Sequence, residues 1–258
     1  MKYQKKQQAW WAFLVWSSMF VLWFSAGVRA AEKPAFSIIT KSNASLPITV
    51  FNITFRAGSA DDTKGREGLA NLTALLLREG GVEAIGGLPA RSRADFEEAL
   101  LPFGADIEVS VGREQTSFRV TSSADDSEKV FELLAQMLLA PAMKQDEFAR
   151  LKAEQLEALT NQLPHEDQEE LGKAALERQM FGAGHAYSHV LSGTKAGVEA
   201  LDRAQLHAFY KSMYTQRRLT VGIAGVISAK LSGRVRQVFS DLPKGDTTRA
   251  QILPAQSN

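Results

Sequence analysis

Gly68-Leu-Ala-Asn-Leu-Thr-Ala-Leu-Leu-Leu-Arg-Glu-Gly-Gly81 is the stretch of sequence that decides the fold. Leu69, Leu72 and Leu76 follow the i, i+3, i+7 spacing of one helix face, and the glycine pair at residues 80–81 is typical of a helix C-terminus. A helix as apolar as this one is buried on most of its surface. We therefore predict a central, largely buried helix that begins after Gly68.

The start of this helix resembles the Gly-Leu-Ala-His-x-x-Glu-His helix of the pitrilysin/insulinase family, the inverzincins. In that family the H-x-x-E-H motif places two imidazoles one helical turn apart, where they bind zinc. The framework at residues 68–70 matches. Asn71 stands in place of the first histidine, Ala74 in place of the catalytic glutamate, and Leu75 in place of the second histidine.

Each of these three replacements removes one part of the catalytic chemistry. An amide is a poor zinc ligand beside imidazole, a methyl group cannot take a proton from a metal-bound water, and leucine has no lone pair to donate. The resemblance therefore implies a catalytically silent member of the family, without metal or any other cofactor. The alternative is a zinc metalloendopeptidase with an unconventional site.

The family's third zinc ligand is a glutamate on a later helix, which here begins near Phe148. The resemblance places Ala158 at that position, and Glu154 and Glu157 would fit if the register shifts. Without the two histidines, either carboxylate would be a ligand without partners.

Residues 1–30 have the features of an export signal. A start with three lysines precedes the apolar run 9–26, and Val28-Arg29-Ala30 offers small residues where a signal peptidase cleaves. We expect cleavage before Ala31 and a location in the periplasm or cell envelope. The alternative is an uncleaved membrane anchor formed by residues 9–26, because the run is near the lower length limit for a membrane span and carries tryptophans suited to an interface.

The amino-acid composition excludes some functions and some means of stabilising the fold. The chain has 30 basic and 29 acidic side chains and no basic run, so it lacks the electrostatic footprint of a nucleic-acid-binding protein. It has no cysteine, which excludes disulfides and thiolate metal sites and leaves stability to an ordinary core. We assign residues 31–245 to one peptidase-like domain and residues 246–258 to a polar tail or a truncated linker.

The periodicity along the chain predicts an α+β fold, a mostly antiparallel sheet covered by helices, and the resemblance identifies it as one half of a protease clamshell. Residues 36–40 and 48–55 are predicted to form a hairpin, and Pro164 is predicted to break a long helix. Other strands are predicted at 107–111, 116–121 and 219–226, and other helices at 92–101, 130–138, 166–180, 202–214 and 228–238.

The strand at residues 107–111 is a candidate peptide-binding edge. In the resembling family this strand lies at the edge of the cleft and pairs with the substrate backbone, and a characteristic Asn-Ala occurs where this chain has Glu108 and Val109. We therefore take Glu108, Val109 and Ser110 as candidate contacts for peptide. The alternative is an ordinary strand of the sheet.

Phe181-Gly-Ala-Gly-His-Ala-Tyr-Ser-His189 resembles the family's Phe-Gly-x-x-His-Pro-Tyr-Gly-His loop. The spacing of His185 and His189 would suit zinc only on a helix, and the glycines around them favour a loop. We therefore expect local hydrogen bonds from these two histidines. His165 and His207 are isolated in the sequence.

The resemblance covers residues 36–242, which is half of a family molecule. Family members are clamshells of two similar halves, and the first half holds zinc. The resemblance thus implies a catalytically active family member as a heteromeric partner, with peptide or unfolded protein as substrate. A structural protein of the envelope is the alternative. The chain stops at Asn258, where a linker to a second half would begin, so we expect either a short subunit or part of a longer protein.

Overall fold

The computed structural model of the chain describes residues 35–182 and 184–248. The leader at residues 1–30, including its apolar run 9–26, and the end of the tail from residue 249 lie outside the described residues. Export, cleavage and anchoring therefore stay predictions. Among the residues that are described, no helix has the length and apolar character needed to cross a membrane.

The described residues form a five-stranded sheet in the order β1-β5-β2-β4-β3. The first and fifth strands run parallel, and the other neighbouring pairs are antiparallel. The predicted α+β class with a mostly antiparallel sheet is confirmed. The strands are β1 (Ser37–Ser42), β2 (Ile48–Phe55), β3 (Ile107–Val111), β4 (Thr116–Ser123) and β5 (Leu219–Gly225).

The predicted hairpin between the first two strands is wrong, because β5 lies between them. Ile39 of β1 is opposite Gly222, and Phe51 of β2 is opposite Ile223. The side chains of Val221 and Ile223 are buried, so β5 gains more from an interior position than β1, which is largely exposed. The turn-forming residues after β1 do reverse the chain. The connection then crosses the inserted strand β5 before β2 begins.

Helices α1 and α2 begin where their sequence signals predict. Gly68 precedes α1, whose Leu69, Leu72 and Leu76 are all buried, as the periodicity predicts. Ser92 caps α2 and accepts a hydrogen bond from the backbone of Asp95. The α-helices are α1 (Leu69–Glu79), α2 (Arg93–Leu100), α3 (Ser127–Leu139), α4 (Gln145–Glu157), α5 (Leu163–Glu166), α6 (Gln168–Phe181), α7 (Lys195–Glu199), α8 (Arg203–Met213) and α9 (Ala229–Phe239).

The predicted helix break at Pro164 is also wrong in position. A π-helical turn at Ala158–Gln162 leads from α4 directly into α5, and Pro164 lies in the first turn of α5. The proline follows directly on the π-helical turn, in which the Leu163 N–H donates to the carbonyl oxygen of Ala158, five residues back, so the regular helical hydrogen bonding is already interrupted before Pro164. The chain leaves the helical conformation at Asp167, whose side chain then caps α6 by accepting a hydrogen bond from the backbone of Glu170 at 3.0 Å.

Helices cover one face of the sheet, and the core lies between the two layers. Phe51 packs against Phe131 of α3 with ring centroids 5.5 Å apart, and Phe55 packs against Tyr214 at 4.8 Å. On the opposite face, Asn52 in the middle of β2 is exposed. The central helix α1 contacts β3, α4 and α8, and this placement joins the candidate site to the edge of the sheet.

Candidate functional site

The first turn of α1 is held by contacts that require glycine at position 68. Gly68 has φ of 107°, and a Cβ there would lie 2.6 Å from the carbonyl oxygen of Ser192 and 2.8 Å from Nε2 of Gln155. Asp62 accepts hydrogen bonds from the backbone N–H groups of Gly68 and Ala70, each at 2.7 Å. A carboxyl group six residues upstream thus satisfies two of the unpaired donors at the helix N-terminus.

Burial raises the pKa of the Asp62 carboxyl to about 7. The two backbone N–H groups that it accepts lower its pKa, but burial has the larger effect. The neighbouring charges of Glu67 and Asp61 raise it further. The start of the central helix therefore rests on a group that titrates near neutral pH.

The three positions of the degenerate motif have different surroundings. Asn71 is half-buried, and its Nδ2 donates a hydrogen bond to Oε1 of Gln155 on α4 at 3.1 Å. Ala74 is fully buried in the core. Leu75 is half-buried, packs against the edge of the core and lines an open cavity. Of the three, Asn71 is joined to the later helix by a side-chain hydrogen bond.

The residue of α4 that meets Asn71 is Gln155, three residues before the predicted Ala158. Gln155 is 4% exposed. It follows Phe148 and Leu151 at i, i+3, i+7 spacing, and all three are buried. This spacing is the sequence signal that could have identified Gln155 as a buried residue. The many polar residues around Gln155 make the signal hard to recognise.

These residues do not fit a zinc ion. Asn71 and Gln155 offer amides, and Ala74 and Leu75 offer alkyl groups, whereas zinc sites are built from imidazole, carboxylate or thiolate. Within residues 35–182 and 184–248, no group of three or more histidine, aspartate or glutamate side chains is placed to hold a metal ion. The geometry therefore supports no step that depends on a metal-bound water.

The strand β3 lies at an edge of the sheet and pairs with β4 on one side. The carbonyl oxygen of Ile107 accepts a hydrogen bond from Nε of Arg78 at 2.7 Å, so it points away from β4. Backbone direction alternates along an antiparallel strand, so Val109 and Val111 present their N–H and C=O groups to the same side as Ile107. The open edge of β3 is thus formed by two valine residues.

Of the three predicted edge residues, only Val109 directs its backbone N–H and C=O groups to the open side of β3. The alternation directs the backbone groups of Glu108 and Ser110 toward β4, opposite Arg119 and Ser117. The side chains of Glu108 and Ser110 are exposed. These two residues can contact a peptide only through their side chains.

A cavity of about 370 Å³ lies between α1 and β3, beside this open edge. Leu75 and Val109 form part of its apolar wall. Arg78 is 10% exposed and pairs with Glu97 and with Asp106, the latter at 2.9 Å, so its charge is neutralised within the domain. The cavity is lined by Leu75, Arg78, Glu79, Arg93, Glu97, Ile107 and Val109.

The segment that follows α6 is a loop, as predicted. The ring of His185 stacks on Phe181 with centroids 4.8 Å apart. His189 Nδ1 lies 2.8 Å from the carbonyl oxygen of Val190, and burial lowers the pKa of His189. Arg113, in the turn after β3, donates to the carbonyl oxygen of His189 and so holds the loop against the end of the edge strand. The isolated His165 and His207 are exposed on α5 and α8.

Comparisons with known proteins agree with this arrangement. The model of the insulinase family (peptidase family M16) matches residues 37–191, and the model of the peptidase M16 inactive domain matches residues 200–257. The mitochondrial-processing peptidase subunit beta of Blastocladiella emersonii is 23% identical over 85% of this chain and 45% of its own length. The non-peptidase homolog YmxG of Helicobacter pylori is 23% identical over 81% of this chain and 46% of its own length.

Solved structures share the fold. A peptidase M16 inactive domain from Pseudomonas fluorescens superposes with a TM-score of 0.75 at 23% identity, over 86% of this chain and 52% of that chain. A protease from Helicobacter pylori superposes with a TM-score of 0.68 at 16% identity, over 87% of this chain and 52% of that chain. The chain spans about half the length of the curated relatives that it matches.

Proposed function

Since this chain belongs to the insulinase family, peptidase family M16, we propose that it is a catalytically silent subunit that binds peptide and pairs with an active zinc protease in the cell envelope. The observation that carries the proposal is the pair of facing helices at the site. There, α1 presents Asn71, Ala74 and Leu75, and α4 presents Gln155, so neither zinc ligands nor a general base are present.

Catalytic silence is supported by the relatives as well as by the side chains. The match to an inactive-domain model and the similarity to a protein described as a non-peptidase homolog both favour a member of the family without peptidase activity. Under this proposal the chain needs no zinc or other cofactor. Zinc content and chelator-sensitive hydrolysis separate it from a metalloendopeptidase with an unconventional site.

Peptide binding is supported by the open edge of β3. An extended peptide can add to a sheet edge through main-chain hydrogen bonds, while adjoining pockets receive alternate side chains. Val109 and Val111 supply the backbone groups, and the cavity beside Leu75 lies next to them. Since Arg78 occupies the carbonyl oxygen of Ile107, the available edge is short and suits a few residues of peptide.

Pairing with another subunit is supported by the unburied surface of α6. In the described part of the chain no residue of this helix is buried, and Leu176 and Met180 are 60% and 54% exposed. These two residues lie one helical turn apart, and adjoining exposed apolar side chains mark an interaction surface where single ones do not. The relative from Blastocladiella emersonii is described as a subunit of a mitochondrial-processing peptidase.

Affinity isolation of the protein from its native envelope, followed by mass spectrometry, tests the pairing. We expect to recover a second family member with an intact H-x-x-E-H helix, and we expect its peptidase rate to rise when this chain is added. A variant with Leu176→Ser and Met180→Ser should recover less of the partner. Recovery of this protein alone, together with an unchanged rate in every peptidase assay, would contradict the proposal.

A further inference from the structure

We infer that Asn71 and Gln155 form an amide cross-link that joins α1 and α4 and positions the loop at Ser192 against them. This contact would hold the silent site together whether or not the domain binds peptide. Where α1 and α4 face each other, the two amide side chains do not fit zinc and hydrogen-bond to one another instead.

The side chain of Gln155 uses both ends of its amide. Its Oε1 accepts a hydrogen bond from Asn71 Nδ2 at 3.1 Å, and its Nε2 donates to the carbonyl oxygens of Ser192 at 2.5 Å and Gly68 at 3.3 Å. The three segments that it joins are far apart in the sequence. A buried amide with its hydrogen bonds made stabilises such a junction, and losing them leaves desolvated polar groups without partners.

The pattern of donors and acceptors requires an amide at position 155. The carbonyl oxygen of Gly68 already accepts from the backbone N–H of Leu72 at 3.0 Å. The carbonyl oxygen of Ser192 takes its donor from Gln155, and Asn71 Nδ2 takes its acceptor there, so a side chain with both functions satisfies both contacts. A glutamate would direct carboxylate oxygens at the carbonyl oxygens of Gly68 and Ser192. The arrangement therefore disfavours a carboxylate at position 155.

The cross-link also positions the loop that follows Ser192. The backbone N–H of Thr194 donates to the carbonyl oxygen of Glu67 at 3.3 Å, and its side chain caps α7 by accepting from Gly197 at 3.0 Å. Together with the contact from Gln155 to Ser192, these bonds fix the loop against the start of α1. Glu67, Thr194 and both loop histidines line a cavity of about 450 Å³. Gln155 is thus a positioning residue for this cavity.

The pH dependence of unfolding in Gln155→Glu tests the cross-link in the intact protein. At pH 7 we expect its melting temperature to fall on the order of 5 °C below that of the unmodified protein. Toward pH 4 the difference should shrink, because the protonated acid can donate a hydrogen bond again. Gln237→Glu is the matched control, because Gln237 is exposed on α9 and its substitution should cost little at either pH.

A double-mutant cycle separates the cross-link from simple packing. Asn71→Ala and Gln155→Ala should each lower the melting temperature, and the double variant should lose clearly less than the sum of the two losses. Hydrogen exchange at residues 190–194 should speed up in Gln155→Ala and stay unchanged in Gln237→Ala. Additive losses, or a Gln155→Glu protein with the pH profile of Gln237→Glu, would overturn the inference, as would stabilisation of the unmodified protein by stoichiometric zinc.

Discussion

Arg78 on the central helix donates from Nε to the carbonyl oxygen of Ile107, the first residue of the edge strand, at 2.7 Å. This bond ties α1 to β3 and occupies one outward-facing group of the edge. The same guanidinium pairs with Glu97 and Asp106. Burial lowers the pKa of Arg78, but these acidic partners together outweigh it and leave the pKa raised. One largely buried side chain therefore fixes both the position of the edge strand and the point at which its open part begins.

Arg78→Met should destabilise the domain by about 1–3 kcal/mol, because it leaves a carbonyl oxygen and a glutamate of the cluster without their donor. Urea unfolding followed by circular dichroism measures the change. Arg93→Met is the control, because Arg93 is 45% exposed and its ion pair with Glu79 is longer, at 3.5 Å. Equal losses in the two variants would show that the contact to Ile107 contributes nothing specific.

Asp62 should make stability depend on pH near neutrality. Its pKa is about 7 in the folded protein and near 3.8 when unfolded, so the unfolded chain releases this proton at lower pH. The contribution of this group to stability is fully present below pH 4 and is lost as the pH rises through 7. Urea unfolding between pH 5 and 8 should show a decline that Asp62→Asn removes.

Asp95→Asn is the control, because the pKa of Asp95 is shifted in the opposite direction from that of Asp62. Hydrogen bonds from Ser92 lower the pKa of Asp95, so its contribution is present at neutral pH and is lost as the pH falls. Asp95→Asn should leave the slope between pH 5 and 8 unchanged. A slope that persists in Asp62→Asn would assign the pH dependence to another group.

Local signals in the sequence predict much of the fold and less of the site. The leucine spacing of α1 and the serine cap at Ser92 depend on neighbours within one or two helical turns, and both are confirmed. The insertion of β5 beside β1 depends on how much apolar surface each strand buries in the sheet, and these strands are more than 160 residues apart in the sequence. The turn residues at 43–47 carry no information about it. The contact between Asn71 and Gln155 likewise joins residues from separate helices, and composition cannot reveal it.

Val109→Pro should weaken the binding of extended peptides if β3 pairs with them. Proline removes the outward N–H of Val109, and an edge strand tolerates it because that N–H is not bonded to β4. Loss of one main-chain hydrogen bond predicts a rise in Kd of about fivefold. Fluorescence anisotropy with labelled unfolded peptides measures it. Val109→Thr is the control, because it keeps the N–H and a similar shape.

Both variants should be checked for an unchanged melting temperature before their affinities are compared. If Val109→Pro folds normally and binds as tightly as the threonine variant, the open edge of β3 is an ordinary sheet edge. Peptide contacts would then have to be sought elsewhere on the domain.

Of the substitutions that would restore the catalytic residues of the family, the one at Ala74 should destabilise the domain most. Ala74 is fully buried, so Ala74→Glu places a carboxylate in the core without a partner and should cost about 3 kcal/mol or more. Leu75 is half-buried beside an open cavity, so Leu75→His can direct its ring toward solvent and should cost about 1 kcal/mol. Urea unfolding of the two single variants measures the difference, with Ala74→Ser as a control for volume.

The same contrast predicts the outcome of the combined variant. Asn71→His with Leu75→His should fold and bind zinc weakly, because Ala158 and the amide of Gln155 supply no third anionic or imidazole ligand. Adding Ala74→Glu should lower stability and should not produce chelator-sensitive peptide hydrolysis. Zinc content by atomic absorption measures the gain of metal binding, and the melting temperature measures the loss of stability. If Ala74→Glu were as stable as the unmodified protein, position 74 would face solvent, and the silent site would be an open cleft that has lost its ligands but not its shape.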